Sequence, residues 1–179
     1  MTTTTTLNRP DALELRQIGL FGALSDEVLV HLANTLDVFE FGTGARVFSE
    51  GDDGRELFVV LQGELEVLKR GHRGGEARVA MLGPHDWFGD MSVLDIQPRS
   101  ASVRSLAPTR LLRLSAADLD QLYRHDLKSY AVVVLNLARE VSRRLRVADG
   151  ILADLIVNVV GTVLTRRVPQ SPPDDVSPG

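Results

Sequence analysis

The segment from Phe88 to Ser102 reads Phe-Gly-Asp-Met-Ser-Val-Leu-Asp-Ile-Gln-Pro-Arg-Ser-Ala-Ser, and the fold assignment depends on it. It lies between two runs that are typical of β-strands and is too short for a full helix. Gly89 lets a ligand approach the backbone because it has no Cβ. The residues that follow can form one helical turn whose free N–H groups point at an anion.

Two charged side chains of this segment point to the chemistry of its ligand. Arg99 can bring a guanidinium fork to the same anion. Asp90, at the start of the turn, can accept hydrogen bonds from a sugar hydroxyl. A ribose and a phosphate held together imply a nucleotide. A single phosphate clamp, without a lysine-bearing phosphate loop, implies one small, singly charged phosphate.

Short apolar runs separated by turn residues surround this segment and predict an antiparallel β-roll over about residues 37–114. The predicted strands are 37–41, 46–49, 56–61, 64–70, 77–82, 100–106 and 109–114. Glycines such as Gly42, Gly51 and Gly63 separate them. The sequence therefore predicts an α+β fold, a jelly-roll-like antiparallel β-roll flanked by N-terminal and C-terminal helices.

The predicted helices lie on both sides of the roll. A loose apolar stripe predicts a helix over 7–18, and Ser25 is expected to cap a second helix over 26–36. Ser115 is expected to cap a third helix. A longer helix is predicted from Asp126 to about residue 148.

The end of the chain carries a second apolar stripe. Gly150 is expected to bend or end the long helix, and residues 150–168 form a separate apolar segment. Its stripe consists of Leu152, Leu155, Ile156, Val159 and Val163. Such a stripe usually marks an interface, so we expect a homodimer or a partner protein at the C-terminal helices. The binding domain is thus expected over 7–149, with disordered tails at 1–6 and 169–179.

Composition excludes several classes of protein. The 179 residues, 44% hydrophobic and 25% charged, suit one globular domain. A net charge of −4 gives no general attraction to nucleic acid or to an anionic membrane. The absence of cysteine rules out disulfides, thiolate metal sites and cysteine nucleophiles. No apolar run reaches the length of a membrane span, so we expect a cytoplasmic protein.

The chain resembles the cyclic nucleotide-binding domain family, and within it the sensor half of the catabolite activator branch. The segment from Phe88 to Ser102 is similar to the family's phosphate-binding cassette. The other matching stretches are 20–24, 44–48, 50–52, 57–60, Gly63 and 114–122. The resemblance covers about residues 20–148. It implies a sensor or regulatory domain that binds a cyclic mononucleotide reversibly, cyclic AMP by default and cyclic GMP as the open alternative.

The resemblance also implies roles for individual residues. Arg99 would pair with the exocyclic phosphate oxygens, and Asp90 would bind the ribose 2′-hydroxyl. Ser100 would add a hydroxyl near the phosphate and the base. Backbone N–H groups would come from Gly89, Met91 and Ser92. Asp90 departs from the family pattern, which usually has the longer Glu at this place.

The remaining predicted ligand contacts lie at the edges of this site. Phe88 and Ala101 belong to the same motif, and Val79 and Met81 would supply part of an apolar wall. Asp149 is aligned with a helix position that contacts the base in the catabolite activator branch. Neither Ala148 nor Asp149 is the hydroxyl residue found there.

The sequence leaves two alternatives to ligand sensing. The first is a β-roll that has lost nucleotide binding and serves as an interaction module. The second is an enzyme acting on cyclic nucleotides, which is not expected because no metal-ligand cluster or positioned base accompanies the motif.

The turn at 51–54 lacks the later Glu of a calcium loop, and the four histidines (His31, His72, His85 and His125) are dispersed, so no metal is expected. The residues after Gly150 are too few for a helix-turn-helix, so no DNA-binding domain is expected either.

Overall fold

The computed structural model describes residues 2–3, 9–71, 74–95 and 97–165, with only the backbone described for 2–3 and 159–165. The predicted tail at 169–179 lies outside the described residues. So do most of the tail at 1–6, His72, Ile96, and the side chains of Val159 and Val163.

Helices and strands follow one another in the predicted order. The helices are α1 (Ala12–Arg16), a 3₁₀ turn (Gly19–Phe21), α2 (Asp26–Thr35), α3 (Asp90–Leu94), α4 (Ala116–His125) and α5 (Leu127–Thr165). The strands are β1 (Thr2–Thr3), β2 (Val38–Phe41), β3 (Arg46–Phe48), β4 (Glu56–Gln62), β5 (Leu65–Arg70), β6 (Glu76–Leu82), β7 (Trp87–Phe88), β8 (Ser102–Ser105) and β9 (Thr109–Ser115).

The strands form two sheets whose neighbours all run antiparallel. One sheet has the order β1-β2-β9-β4-β7 and the other β3-β8-β5-β6. Between them lies an aromatic cluster that includes Phe39, Phe58 and Phe88. This arrangement confirms the predicted antiparallel β-roll with flanking helices.

Strand β4 belongs to two cores at once because side chains alternate across a strand. Phe58 and Val60 face the aromatic cluster inside the roll. Leu57, Val59 and Leu61 face a second cluster, to which the helices contribute. All five are buried, which explains why this strand reads as a continuous apolar run.

The N-terminal side adds one strand and shortens one predicted helix. Within the tail predicted over 1–6, Thr2–Thr3 forms a strand that pairs with Phe39 and Glu40 of β2. β-Branched threonines suit such an edge position. The helix predicted over 7–18 is shorter, Ala12–Arg16, because Asp11 caps it by accepting a hydrogen bond from the Glu14 N–H.

The C-terminal helix also differs from its prediction. Ser115 caps α4 in a reciprocal capping box with Asp118, as expected. Helix α5, however, continues through Gly150. A helical glycine costs up to about 1 kcal/mol relative to alanine, and good helix formers around it offset that cost. The chain divides into two compact units, 1–137 and 138–179.

Candidate functional site

Gly89 starts the cassette helix α3 in a backbone conformation that favours glycine. Its φ is +82°, in the left-handed region. A Cβ at this position would lie 2.7 Å from Arg99 Nη1 and 3.0 Å from the Glu56 carbonyl oxygen. Glycine is therefore required both by the turn and by the close approach of Arg99.

The guanidinium of Arg99 is buried and held by hydrogen bonds from both terminal nitrogens. Nη1 donates to the Glu56 carbonyl at 2.7 Å, to Ser92 Oγ at 2.7 Å and to the Gly89 carbonyl at 3.3 Å. Nη2 donates to Glu56 Oε1 at 2.7 Å and forms an ion pair with it. These contacts join the cassette helix to the start of β4.

The faces of the same guanidinium contact an aromatic ring and a glycine. Arg99 Cζ lies 4.1 Å from the centroid of the Phe48 ring, within cation–π distance. A Cβ at Gly54 would come within 2.5 Å of Nε and Nη2. The backbone of Arg99 also pairs with the preceding turn, since its N–H donates to the Asp52 carbonyl and its carbonyl accepts from the Gly51 N–H.

The electrostatics around Arg99 combine a buried cation with an adjacent carboxylate. Burial lowers the pKa of the Arg99 guanidinium, and the Glu56 carboxylate beside it acts in the opposite direction. An arginine nevertheless stays charged in proteins. Arg99 Nε is buried and has no hydrogen-bond partner among the described residues. A buried cation with one unsatisfied donor can donate a further hydrogen bond to an anionic oxygen.

Comparison with known proteins agrees with this geometry. A family model described as "Cyclic nucleotide-binding domain" matches residues 38–126. A solved cyclic nucleotide-binding domain from Methylobacillus flagellatus superposes with a TM-score of 0.74 at 30% identity, covering 80% of this chain and 83% of that one. The chain belongs to the cyclic nucleotide-binding domain family.

Two curated relatives of the domain are named as cyclic AMP proteins. The CRP-like cAMP-activated global transcriptional regulator of Mycobacterium tuberculosis is 30% identical over 142 residues, which cover 79% of this chain and 62% of that protein. The cyclic AMP receptor protein of Thermus thermophilus is 41% identical over 107 residues, covering 59% of this chain and 47% of that protein. The chain thus spans less than two thirds of either relative.

A second charged cluster of the domain lies where the cassette segment leads into β8. Lys69 Nζ donates to the Ser100 carbonyl and, at 3.1 Å, to Glu50 Oε1. Glu50 also accepts from the Arg70 N–H at 2.8 Å. The Arg70 backbone bond and the Lys69 bond lower the pKa of the Glu50 carboxyl. These contacts tie β5 to the Ser100 end of the cassette segment.

The structure brings part of the predicted ligand set together. Ser92 contacts both Gly89 and Arg99, and Asp90 and Ser92 are each 3% exposed. Ser100 Oγ lies 3.6 Å from Met91 Sδ, and both residues are exposed.

The other residues predicted to contact the ligand differ in location and in burial. Phe88 is buried in the aromatic core, with its ring stacked 5.6 Å from Phe58, and Ala101 is half-buried. Val79 and Met81 lie exposed on β6, at 60% and 52%. Asp149 is exposed on α5, in the second unit. Their ligand contacts remain predictions.

Sequence reasoning missed three residues that hold Arg99. Glu56 follows a turn and resembles a solvated strand end, and Gly54 resembles an ordinary turn glycine. Phe48 belongs to a predicted strand and to the matching stretch 44–48, and neither pattern indicates a contact with Arg99. Because Glu56 lies 43 positions from Arg99, no local spacing could have paired them.

The described residues contain no group of three or more His, Cys, Asp or Glu side chains arranged to hold a metal ion. No helix within them combines the length and the apolar character that crossing a membrane requires.

Proposed function

We propose that this domain binds cyclic AMP at the cassette segment and acts as the sensor of a regulatory protein. The single observation that carries the proposal is the buried Arg99 guanidinium, whose Nε lacks a partner among the described residues. An exocyclic oxygen of a cyclic phosphate would satisfy that donor. Cyclic AMP is the first choice because both curated relatives are named for it.

The sugar contact of the proposal rests on Asp90. Its side chain is buried at the first turn of α3, directly after the left-handed Gly89. A carboxylate at this position can accept from a ribose 2′-hydroxyl near the phosphate. Asp90→Glu therefore tests reach, since it adds one methylene and leaves the charge unchanged.

The proposed output passes through the helices that follow the roll. Val93 of α3 and Tyr130 of α5 pack against the same core cluster. With Leu119 and Tyr123, they line one small cavity. A movement of α3 on phosphate capture would press on this contact and shift the start of α5. The shift requires tighter ligand binding to one helix position than to the other.

We also propose that α5 joins two copies of the chain. Leu145, Ala148, Leu152 and Leu155 follow one another at alternating spacings of three and four, as in a coiled-coil seam. The three leucines are 55–60% exposed. A second copy presenting the same seam would cover them.

A second candidate function is an interaction module without ligand, and one observation favours it. The Arg99 charge already has a counter-ion in Glu56, so the fold does not need a phosphate to neutralise it. On this alternative the β-roll only presents its helices to a partner.

Calorimetric titration separates the two candidates. The full chain is titrated with cyclic AMP, cyclic GMP and a cyclic dinucleotide, beside the variant Arg99→Gln. Saturable binding of a mononucleotide by the parent, with an affinity reduced roughly ten-fold or more in Arg99→Gln, would support the sensor. The reduction is expected because each charge-assisted hydrogen bond contributes about 1.5–3 kcal/mol. Circular dichroism of the variant checks that it folds. No heat with any of the three nucleotides would favour the interaction module.

A further inference from the structure

We propose that Glu56 is an internal competitor of the ligand, and that its carboxylate sets the affinity of the nucleotide site. In the present conformation Glu56 supplies the negative charge that Arg99 faces. A cyclic phosphate would have to displace the Glu56 carboxylate from the guanidinium. This inference rests on the proposed function, because it concerns the same guanidinium.

The contacts of Arg99 distinguish Glu56 from its other partners. The carbonyl oxygens of Glu56 and Gly89 and the Ser92 hydroxyl are neutral acceptors. Among the described residues that accept from the guanidinium, only the Glu56 side chain carries a charge. Two anions close to one buried cation repel each other strongly at low dielectric. The phosphate and the Glu56 carboxylate therefore compete.

Burial shows which partner can move. The side chain of Arg99 is 2% exposed, whereas that of Glu56 is 31% exposed. Arg99 is fixed by three neutral contacts and by the Phe48 ring, none of which needs to change. Glu56 lies at the rim and can rotate its carboxylate into water. Exchange of one anion for another thus requires only a rotamer change at Glu56.

A thermodynamic cycle gives the direction of the effect. Removing the Glu56 charge destabilises the ligand-free protein, because a buried cation loses its counter-ion. It leaves the liganded protein almost unaffected, because the phosphate has replaced that counter-ion. The difference appears as tighter binding. The opposite role, in which Glu56 positions Arg99 for the phosphate, predicts weaker binding.

The experiment compares Glu56→Gln with Asp53→Asn on the full chain. Asp53 lies in the same turn. Asp53→Asn therefore also removes one negative charge, but it leaves the ion pair between Glu56 and Arg99 intact. Glu56→Ala provides a second variant that removes the whole carboxylate. Affinity for cyclic AMP is measured by calorimetry, and unfolding temperature is measured with and without saturating cyclic AMP.

We expect both Glu56 variants to bind cyclic AMP about ten-fold tighter than the parent, and Asp53→Asn to stay within about two-fold. Their unfolding temperature should fall without ligand and return towards that of the parent with it. If a Glu56 variant binds cyclic AMP and the parent shows no binding, the result would support the inference further. Unchanged or weaker binding in the Glu56 variants, with a parent that binds, overturns the inference and leaves the proposed function standing. Absence of binding in the parent and in all variants overturns both.

Discussion

Gly54 and Arg99 are so close that a single methyl group between them has no room: a Cβ built on Gly54 would lie 2.5 Å from both Nε and Nη2 of the guanidinium. Within residues 51–56, Gly54 is the glycine whose missing side chain leaves room for the Arg99 guanidinium. Gly54 therefore belongs to the proposed anion site although it carries no functional group.

Gly54→Ala should displace the Arg99 fork and weaken cyclic AMP binding. Loss of one charge-assisted bond costs about 1.5–3 kcal/mol, so the dissociation constant should rise roughly ten-fold or more. Overpacking should lower the free energy of unfolding by about 1–3 kcal/mol. Calorimetry and urea denaturation measure the two effects. Gly42→Ala is the matched control, since a Cβ at Gly42 meets nothing within 4 Å, and it should bind as the parent does.

Leu152→Asp should break the self-association proposed for α5. A charged residue in an apolar seam loses its hydration without gaining a partner, so association should weaken by about ten-fold or more. Val157→Asp is the control, because Val157 is 69% exposed and lies outside the three-and-four spacing of the seam. Analytical ultracentrifugation measures both variants beside the parent. A parent that sediments as a monomer would exclude the interface.

Asp149→Ala tests whether a carboxylate of α5 reaches the base. Guanine offers N1–H and the 2-amino group as donors, whereas adenine offers only its 6-amino group. We expect the parent to prefer cyclic AMP. If the Asp149 carboxylate accepts from the guanine donors, the variant should lose roughly ten-fold in affinity for cyclic GMP with little change for cyclic AMP. Asp154→Ala, on the same helix, controls for the lost charge. If the ratio of the two affinities is unchanged, Asp149 does not contact the base.

Glu50→Gln should make the protein less sensitive to acid. The Arg70 N–H and Lys69 lower the pKa of the folded Glu50 from its ordinary value of 4.5, so the folded state favours the ionised carboxylate. That stabilisation is present above pH 4.5 and is lost as the pH falls through the folded pKa. The free energy of unfolding, measured by urea from neutral to acid pH, should therefore fall less steeply below pH 4.5 in the variant than in the parent. Lys69→Met should show a smaller effect of the same sign, since the Arg70 bond remains. Equal acid slopes in Glu50→Gln and the parent would show that this carboxylate does not contribute.

Local patterns in the sequence determined most of the β-roll. The run 56–61 predicted β4 to within one residue, because a short apolar run between flanking glycines is a local signal. The capping signals at Ser25 and Ser115 were confirmed for the same reason. Gly150 was misjudged because a helix depends on the summed preferences of many residues, and one glycine does not outweigh them.

The sequence also placed Gly89, Ser92 and Arg99 within one short segment, and the structure brings these three residues into contact. The ligand chemistry of this segment stays a prediction. Only the tertiary structure decided which residues surround the Arg99 guanidinium. Its counter-ion Glu56, its ring contact Phe48 and its glycine neighbour Gly54 come from other strands and turns, 43 to 51 positions away. Pairing across such separations is set by the register of the two sheets, and no spacing along the chain encodes it.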